Sequence, residues 1–220
     1  MVKPITIGIT QGDINGIGYE LIIKTLLDAR MLEVCTPVIY GSSKVLSYHK
    51  KITPHGGEFN YNIIHQVEQA HARKCNILNI TNQELKVDLG EATPVSGQAA
   101  LDALEMATKD LTSNKLDAIV TAPINKKCIQ SDQFHFSGHT EYFARKTSST
   151  DYLMLMVANR LRIGTVTTHC ALESVSKSLS KELILNKIKV LNHSLVQDFA
   201  CTKPRIAGLA LNPHAGEQGM

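Results

Sequence analysis

No C-x-x-C pair occurs in the chain, and its five cysteines (Cys35, Cys75, Cys128, Cys170, Cys201) are odd in number and far apart. That pattern argues against a disulfide framework and a cysteine-based zinc site. It favours a reducing compartment, so a cytoplasmic protein is expected. No stretch approaches the ~18 apolar residues of a membrane span; Tyr152–Ala158 is the most apolar run and is short. The N-terminus reaches the polar Thr10-Gln11-Gly12-Asp13 too early for the apolar core of a signal peptide. Charge of one sign is lacking too: 23 Lys and Arg face 20 Asp and Glu, a scattered net of +3. Neither nucleic acid nor an anionic membrane surface is therefore the expected partner. No repeat period and no low-complexity segment breaks the chain.

What is there is an ordinary globular composition, 43% hydrophobic and 20% charged, over 220 residues. That length suits one large or two small α/β domains. Strand-like and helix-like runs alternate, the pattern of a largely parallel sheet. Strands are predicted at Ile5–Thr10, Pro37–Gly41, Asp117–Thr121, Tyr152–Val157, Arg162–Thr167 and Arg205–Leu211. Helices are predicted at Ile17–Ala29, after the capping pair Ser42-Ser43, at Ser96–Leu111 and from about Ser180 to Phe199. The Ser96–Leu111 stripe is Ala99, Ala100, Ala103, Leu104, Ala107 and Leu111. The last helix turns Leu183, Ile184, Ile188, Leu191 and Leu195 inward. Residues 51–75, broken by Pro54, Gly56 and Gly57, give no clear element.

Between the first strand and the first helix lies Gln11-Gly12-Asp13-Ile14-Asn15-Gly16-Ile17-Gly18-Tyr19-Glu20, the place where phosphate-binding loops sit. It is neither the dinucleotide fingerprint, since counting from Gly16 the last glycine is replaced by Leu21, nor a P-loop, since no Gly-Lys-Ser/Thr follows. Two readings stand. The glycines serve a tight turn with unusual φ angles, or Asp13 and the loop amides face a ligand at the mouth of the sheet.

Three histidines fall at or just past predicted strand ends: His139 in Gly138-His139-Thr140-Glu141, His169 closing Thr167-Thr168-His169, and His214 in Asn212-Pro213-His214-Ala215-Gly216-Glu217. Carboxyl ends of strands form the ligand crevice of α/β sheets, so these three can converge, and neutral imidazole is the commonest metal ligand. His49, His55, His65, His71, His135 and His193 are expected to be structural or solvated.

The glycine loop resembles the G-D-x-x-G-I-G-x-E opening of the 4-hydroxythreonine-4-phosphate dehydrogenase family and, more distantly, that of isocitrate and isopropylmalate dehydrogenases. Ile14 and Tyr19 stand where prolines are usual and would stiffen the loop. Thr121-Ala122-Pro123-Ile124-Asn125-Lys126, Gly138-His139-Thr140-Glu141, Thr167-Thr168-His169 and Leu211-Asn212-Pro213-His214-Ala215-Gly216-Glu217 follow in the family's order. One tetrapeptide is a weak signal; four in order behind the loop are a strong one.

The resemblance implies an α/β fold of mostly parallel sheets flanked by helices, with isocitrate/isopropylmalate dehydrogenase-like architecture, two subdomains and a cleft between them. It implies that His139 and Thr140 bind a phosphorylated amino-acid substrate and that His169 and His214 bind a divalent metal (zinc, magnesium or cobalt). On this reading the two metal histidines share one ion and His139 lines the same cleft. It further implies a homodimer and NAD- or NADP-dependent oxidation of 4-phosphooxy-L-threonine to a 3-oxo acid, which loses CO2 in pyridoxine 5'-phosphate synthesis. Alternatives are a paralogue acting on threonate or erythronate 4-phosphate, or a non-catalytic metal- or phosphate-binding fragment. Family members run on for about another third of their length, with a third metal histidine and a phosphate-binding lysine there. Residues 1–220 thus read as a partial two-subdomain dehydrogenase, inactive alone, and neither its catalytic base nor its nucleotide-binding residues are named by the sequence.

Overall fold

The computed structural model describes residues 4–131, 134–136, 138–214 and 216. These divide into two compact units, the first running to Tyr142 and the second beginning at Phe143.

The first unit is built on β1 (Ile5–Thr10), β2 (Cys35–Gly41), β3 (Asn62–Ile64), β4 (Asn76–Asn79) and β5 (Ala118–Thr121). They form one sheet in the order β3-β4-β2-β1-β5, every pair parallel, with Ile5 opposite Cys35 and Ile7 opposite Ala118. Helices α1 (Gly18–Leu26), α2 (Ala29–Val34), α3 (Ser43–Ile52) and α4 (Pro94–Thr112) connect them. β2 is buried along its whole length, and its side chains alternate between two cores as strand geometry requires. Ile39 joins Tyr19, Ile23, Leu46 and Ile77 on the α1 and α3 side, whereas Val38 and Tyr40 join Ala103, Ala107 and Leu116 on the α4 side. Helices thus cover both faces, as an all-parallel sheet demands. The small residues of the α4 stripe, Ala99, Ala100, Ala103 and Ala107, let that helix lie close on the strands.

Several expectations need correction. The helix over Ile17–Ala29 stops at Leu26, because Asp28 accepts from Arg30 N–H at 3.0 Å and caps a separate α2. The unassigned region holds β3, a strand of three residues, between two short 3-10 turns, and is followed at Asn76 by the buried β4. His139 opens a helix, α5 (His139–Lys146), instead of following a strand end.

In the second unit, β6 (Leu155–Ala158) and β7 (Leu161–Gly164) are shorter than predicted and pair antiparallel. The two-residue turn Asn159-Arg160, with Asn159 at φ 50°, permits no other direction. The short α6 (Val175–Ser178) precedes α7 (Lys181–Gln197), which Ser180 caps by accepting from Leu183 N–H. Leu195 is buried as expected, but Ile184 and Ile188 are exposed, so the inward stripe of α7 is narrower than the sequence pattern. Arg205–Leu211 is not a strand. A strand exists only by pairing, and among the described residues this run finds no partner, leaving Leu209 94% exposed. No described helix is long and apolar enough to cross a membrane.

Candidate functional site

β1 leads leftward to β2 and the chain returns through α4 to β5 on the other side, so strand order reverses between β1 and β5. In open parallel sheets the ligand crevice lies at such a reversal, outside the carboxyl ends of the strands. The loops leaving β1 and β5 are therefore the walls of the candidate site. Asp13 N–H donates to the Pro123 carbonyl at 2.9 Å and ties the two together. Gly12, at φ +67°, makes that approach possible: a Cβ there would stand 2.4 Å from the Pro123 oxygen.

The loop is held from every side. Gln11 N–H donates to Tyr40 O, and the Gln11 amide donates to Ala99 O at 2.8 Å. Its Oε1 accepts from the Tyr19 hydroxyl at 2.6 Å and from Ser42 N–H at 3.1 Å. Ile14 is fully buried, and its carbonyl accepts from His49 Nε2 at 2.8 Å. Asn15 donates to Glu91 O and Thr93 Oγ1 and accepts from Asp88 N–H, while Gly90 N–H donates to the Asn15 carbonyl. Burial and hydrogen bonds at Ile14 and Tyr19 thus supply the stiffness expected of prolines. Asp13, half-buried, accepts from Asn15 N–H through Oδ1, a contact that supports the tight-turn reading of the loop.

The loop after β5 carries Lys126 on a turn capped by Asn125, whose side chain accepts from the Lys127 and Cys128 amides. Gly97 of α4 packs directly on this turn; a Cβ at Gly97 would stand 1.9 Å from the Cys128 oxygen. His139 and Thr140 are consecutive on the first turn of α5, both half-buried, with Tyr142 N–H donating to Gly138 O behind them. Burial, and after it the Lys126 charge, holds His139 below its usual pKa, which favours the neutral imidazole.

His139 and Thr140 belong to the first unit, His169 and His214 to the second. His169 lies in the turn beyond β7 with φ 51°, and His214 in a turn where its N–H donates to Asn212 Oδ1; both are exposed. Among the described residues no three His, Cys, Asp or Glu side chains gather as a metal site. A catalytic zinc normally takes three protein ligands. Two imidazoles have the right donor chemistry but do not complete such a site by themselves. Ala215 and Glu217 of the same motif lie outside the described residues. Of the remaining histidines, His49 is buried and structural, while His55, His65, His71, His135 and His193 are exposed.

The sequence reading expected His49 only to be structural or solvated and gave Asn15 and Lys126 no role of their own, although both lie within motifs already singled out.

The family model described as "Pyridoxal phosphate biosynthetic protein PdxA" matches residues 33–220. A 4-hydroxythreonine-4-phosphate dehydrogenase of Bacteroides thetaiotaomicron is 45% identical over 217 residues, 98% of this chain and 59% of the relative. One from Sulfurihydrogenibium sp. is 35% identical over 221 residues, 100% of this chain and 66% of the relative. The crystal structure of a 4-hydroxythreonine-4-phosphate dehydrogenase from Burkholderia phymatum superimposes with a TM-score of 0.83 at 31% identity, covering 98% of this chain and 65% of that one. The chain thus spans about three fifths to two thirds of the length of these relatives.

Proposed function

Because the chain belongs to the PdxA family of pyridoxal phosphate biosynthetic proteins, we propose that the protein oxidises 4-phosphooxy-L-threonine at its C3 hydroxyl. The hydride passes to NAD (or NADP), the hydroxyl proton leaves, and the resulting 3-oxo acid loses CO2 to give 3-amino-2-oxopropyl phosphate. The observation that carries the reading is the 45% identity to a named 4-hydroxythreonine-4-phosphate dehydrogenase over nearly the whole chain. A nucleotide supplies the hydride acceptor and a divalent cation (zinc, magnesium or cobalt) supplies Lewis acidity when bound. His169 and His214 are the residues of this chain assigned to hold the cation.

The work of the chain's own residues is to bind and orient. His139 and Thr140 stand on the first turn of α5, where backbone N–H groups and the helix dipole favour a negatively charged group. The His139 imidazole can donate or accept a hydrogen bond, which suits it to orient a polar group of the substrate. The Asn15 and His49 clamps hold the loop after β1, and with it Asp13, against the loop after β5. A homodimer in the cytoplasm belongs to the same proposal and rests on the family resemblance.

The test is NADH formation by the protein encoded by the whole gene, with 4-phosphooxy-L-threonine, threonate 4-phosphate and erythronate 4-phosphate offered in turn alongside zinc or magnesium. Turnover of the first well above the other two is expected. Preference for either acid lacking the amino group would replace this substrate with that one.

A further inference from the structure

Lys126 approaches the His139–Thr140 corner and makes no ion pair among the described residues. Its turn is rigid: Asn125 caps it, Ile129 is 1% exposed beneath it, and Gly97 presses on the Cys128 carbonyl. From that support the exposed side chain reaches over Gly138, where a Cβ would lie 4.0 Å from its Nζ. Gly138 is the residue whose carbonyl receives the first bond of α5. The ammonium therefore hangs at the mouth of that helix, beside the His139 ring whose protonation its charge opposes. Glu141 reaches the same spot, its Oε2 3.7 Å from the same Cβ position, yet Lys126 forms no ion pair with it or with any other described residue. An ammonium on a fixed turn, at the strand-order reversal, next to a neutral imidazole and a helix start, is charge placed for something that is not in the protein.

We propose that Lys126 binds an oxyanion group of the substrate, a phosphate ester or a carboxylate, at the corner formed by Gly138, His139 and Thr140. This rests on the substrate reading above only for the identity of the molecule, since the chemistry of the corner calls for an oxyanion whichever phosphorylated acid carries it. The ammonium contributes the full charge that the helix dipole and a neutral imidazole lack, and as a point charge it accepts either oxyanion geometry.

The probe is inorganic phosphate, with acetate as the carboxylate counterpart, titrated into the 220-residue chain while the His139 imidazole and Thr140 amide resonances are followed by NMR. Phosphate or acetate is expected to move both resonances. Lys126→Met should raise the concentration required by roughly tenfold or more, the size of one charge-assisted hydrogen bond. Lys126→Arg should restore the response, and Lys127→Met should leave it unchanged. A response to acetate alone assigns the contact to the carboxylate end, and a response to phosphate alone assigns it to the ester. Absence of any response in the native chain, or an equal response in Lys126→Met with the rest of its spectrum intact, overturns the proposal. Failure of 4-phosphooxy-L-threonine to bind while phosphate still depends on Lys126 would instead remove the proposed substrate and leave the lysine's role standing.

Discussion

The Nε2–H of His49 donates to the carbonyl oxygen of Ile14 across 2.8 Å, pinning the loop after β1 to helix α3. The imidazole stacks on Tyr19, with ring centroids 5.3 Å apart, and is itself buried. Because the acceptor is a carbonyl, the proton must sit on Nε2.

His49 makes stability depend on pH with a definite sign. Burial holds it below its ordinary value of 6.5, and His139 shifts the same way through burial and the Lys126 charge. Between the depressed folded value and 6.5 the unfolded chain binds more protons. Stability therefore rises with pH through that window: the contribution is complete above it and is lost as pH falls through it. Urea midpoints should be lower at about pH 5 than at about pH 7. His49→Leu should flatten that slope and, by stranding the Ile14 carbonyl, cost about 1–3 kcal/mol at neutral pH. An unchanged slope would show that His49 is not its source.

Tyr19 is expected to resist replacement by proline. Its hydroxyl donates to Gln11 and its ring is wholly buried. Tyr19→Phe should cost about 0.5–1.5 kcal/mol through the lost hydrogen bond to Gln11 Oε1, which keeps its Ser42 N–H donor. Tyr19→Pro meets a first-turn position where proline is tolerated, yet it empties the ring's site and should cost roughly 3–5 kcal/mol. Equilibrium unfolding of the two variants distinguishes backbone stiffness from packing as the source of the loop's order.

Gly97→Ala should destabilise although it exchanges glycine for the best helix former. The new Cβ would overlap the Cys128 carbonyl at 1.9 Å, so a gain of about 1 kcal/mol in propensity is outweighed by backbone displacement, typically about 1–3 kcal/mol. Gly57→Ala, with nothing within 4 Å, should be neutral. Thermal melts of the pair give the sign directly.

These cases show why parts of the molecule were readable in sequence and others were not. Ser42 and Ser180 announce their helices because an N-cap is a local event, and the alanine stripe of α4 repeats within a few turns. β3 has three residues and β4 four, too short for any periodicity, and each exists through pairing with a distant segment. Arg205–Leu211 has the alternation of a strand but no pairing. In the site, the motifs named His139 and Thr140, whereas the Asn15 clamp joins residues more than seventy positions apart. The Lys126 contribution depends on where two turns meet, and nothing in the spacing encodes that.

Thiol reactivity should sort the cysteines by burial. Cys75 is buried, with its thiol pushed up to about 12, and Cys35 is buried and raised as well, so both lack thiolate at neutral pH. Cys170 is exposed. An aromatic disulfide reagent should label Cys170 within the first phase and reach Cys35 and Cys75 only after denaturant is added. Early labelling of Cys75, read by peptide mass, would mean that the α3 side of the core opens in the native state.

The β6–β7 ribbon has only two strands, too few to be stable on its own. Leu195 is the one apolar side chain of the second unit that is buried among the described residues, against more than two dozen in the first. The two units consequently keep different clocks. Amide hydrogens of β1, β2 and β4 exchange with solvent only when the whole core opens, those of β6 and β7 through small, frequent openings of the ribbon. A trace of protease, given time, would read the same difference as a ladder of early cuts beyond Phe143 and a lasting fragment that ends near Tyr142.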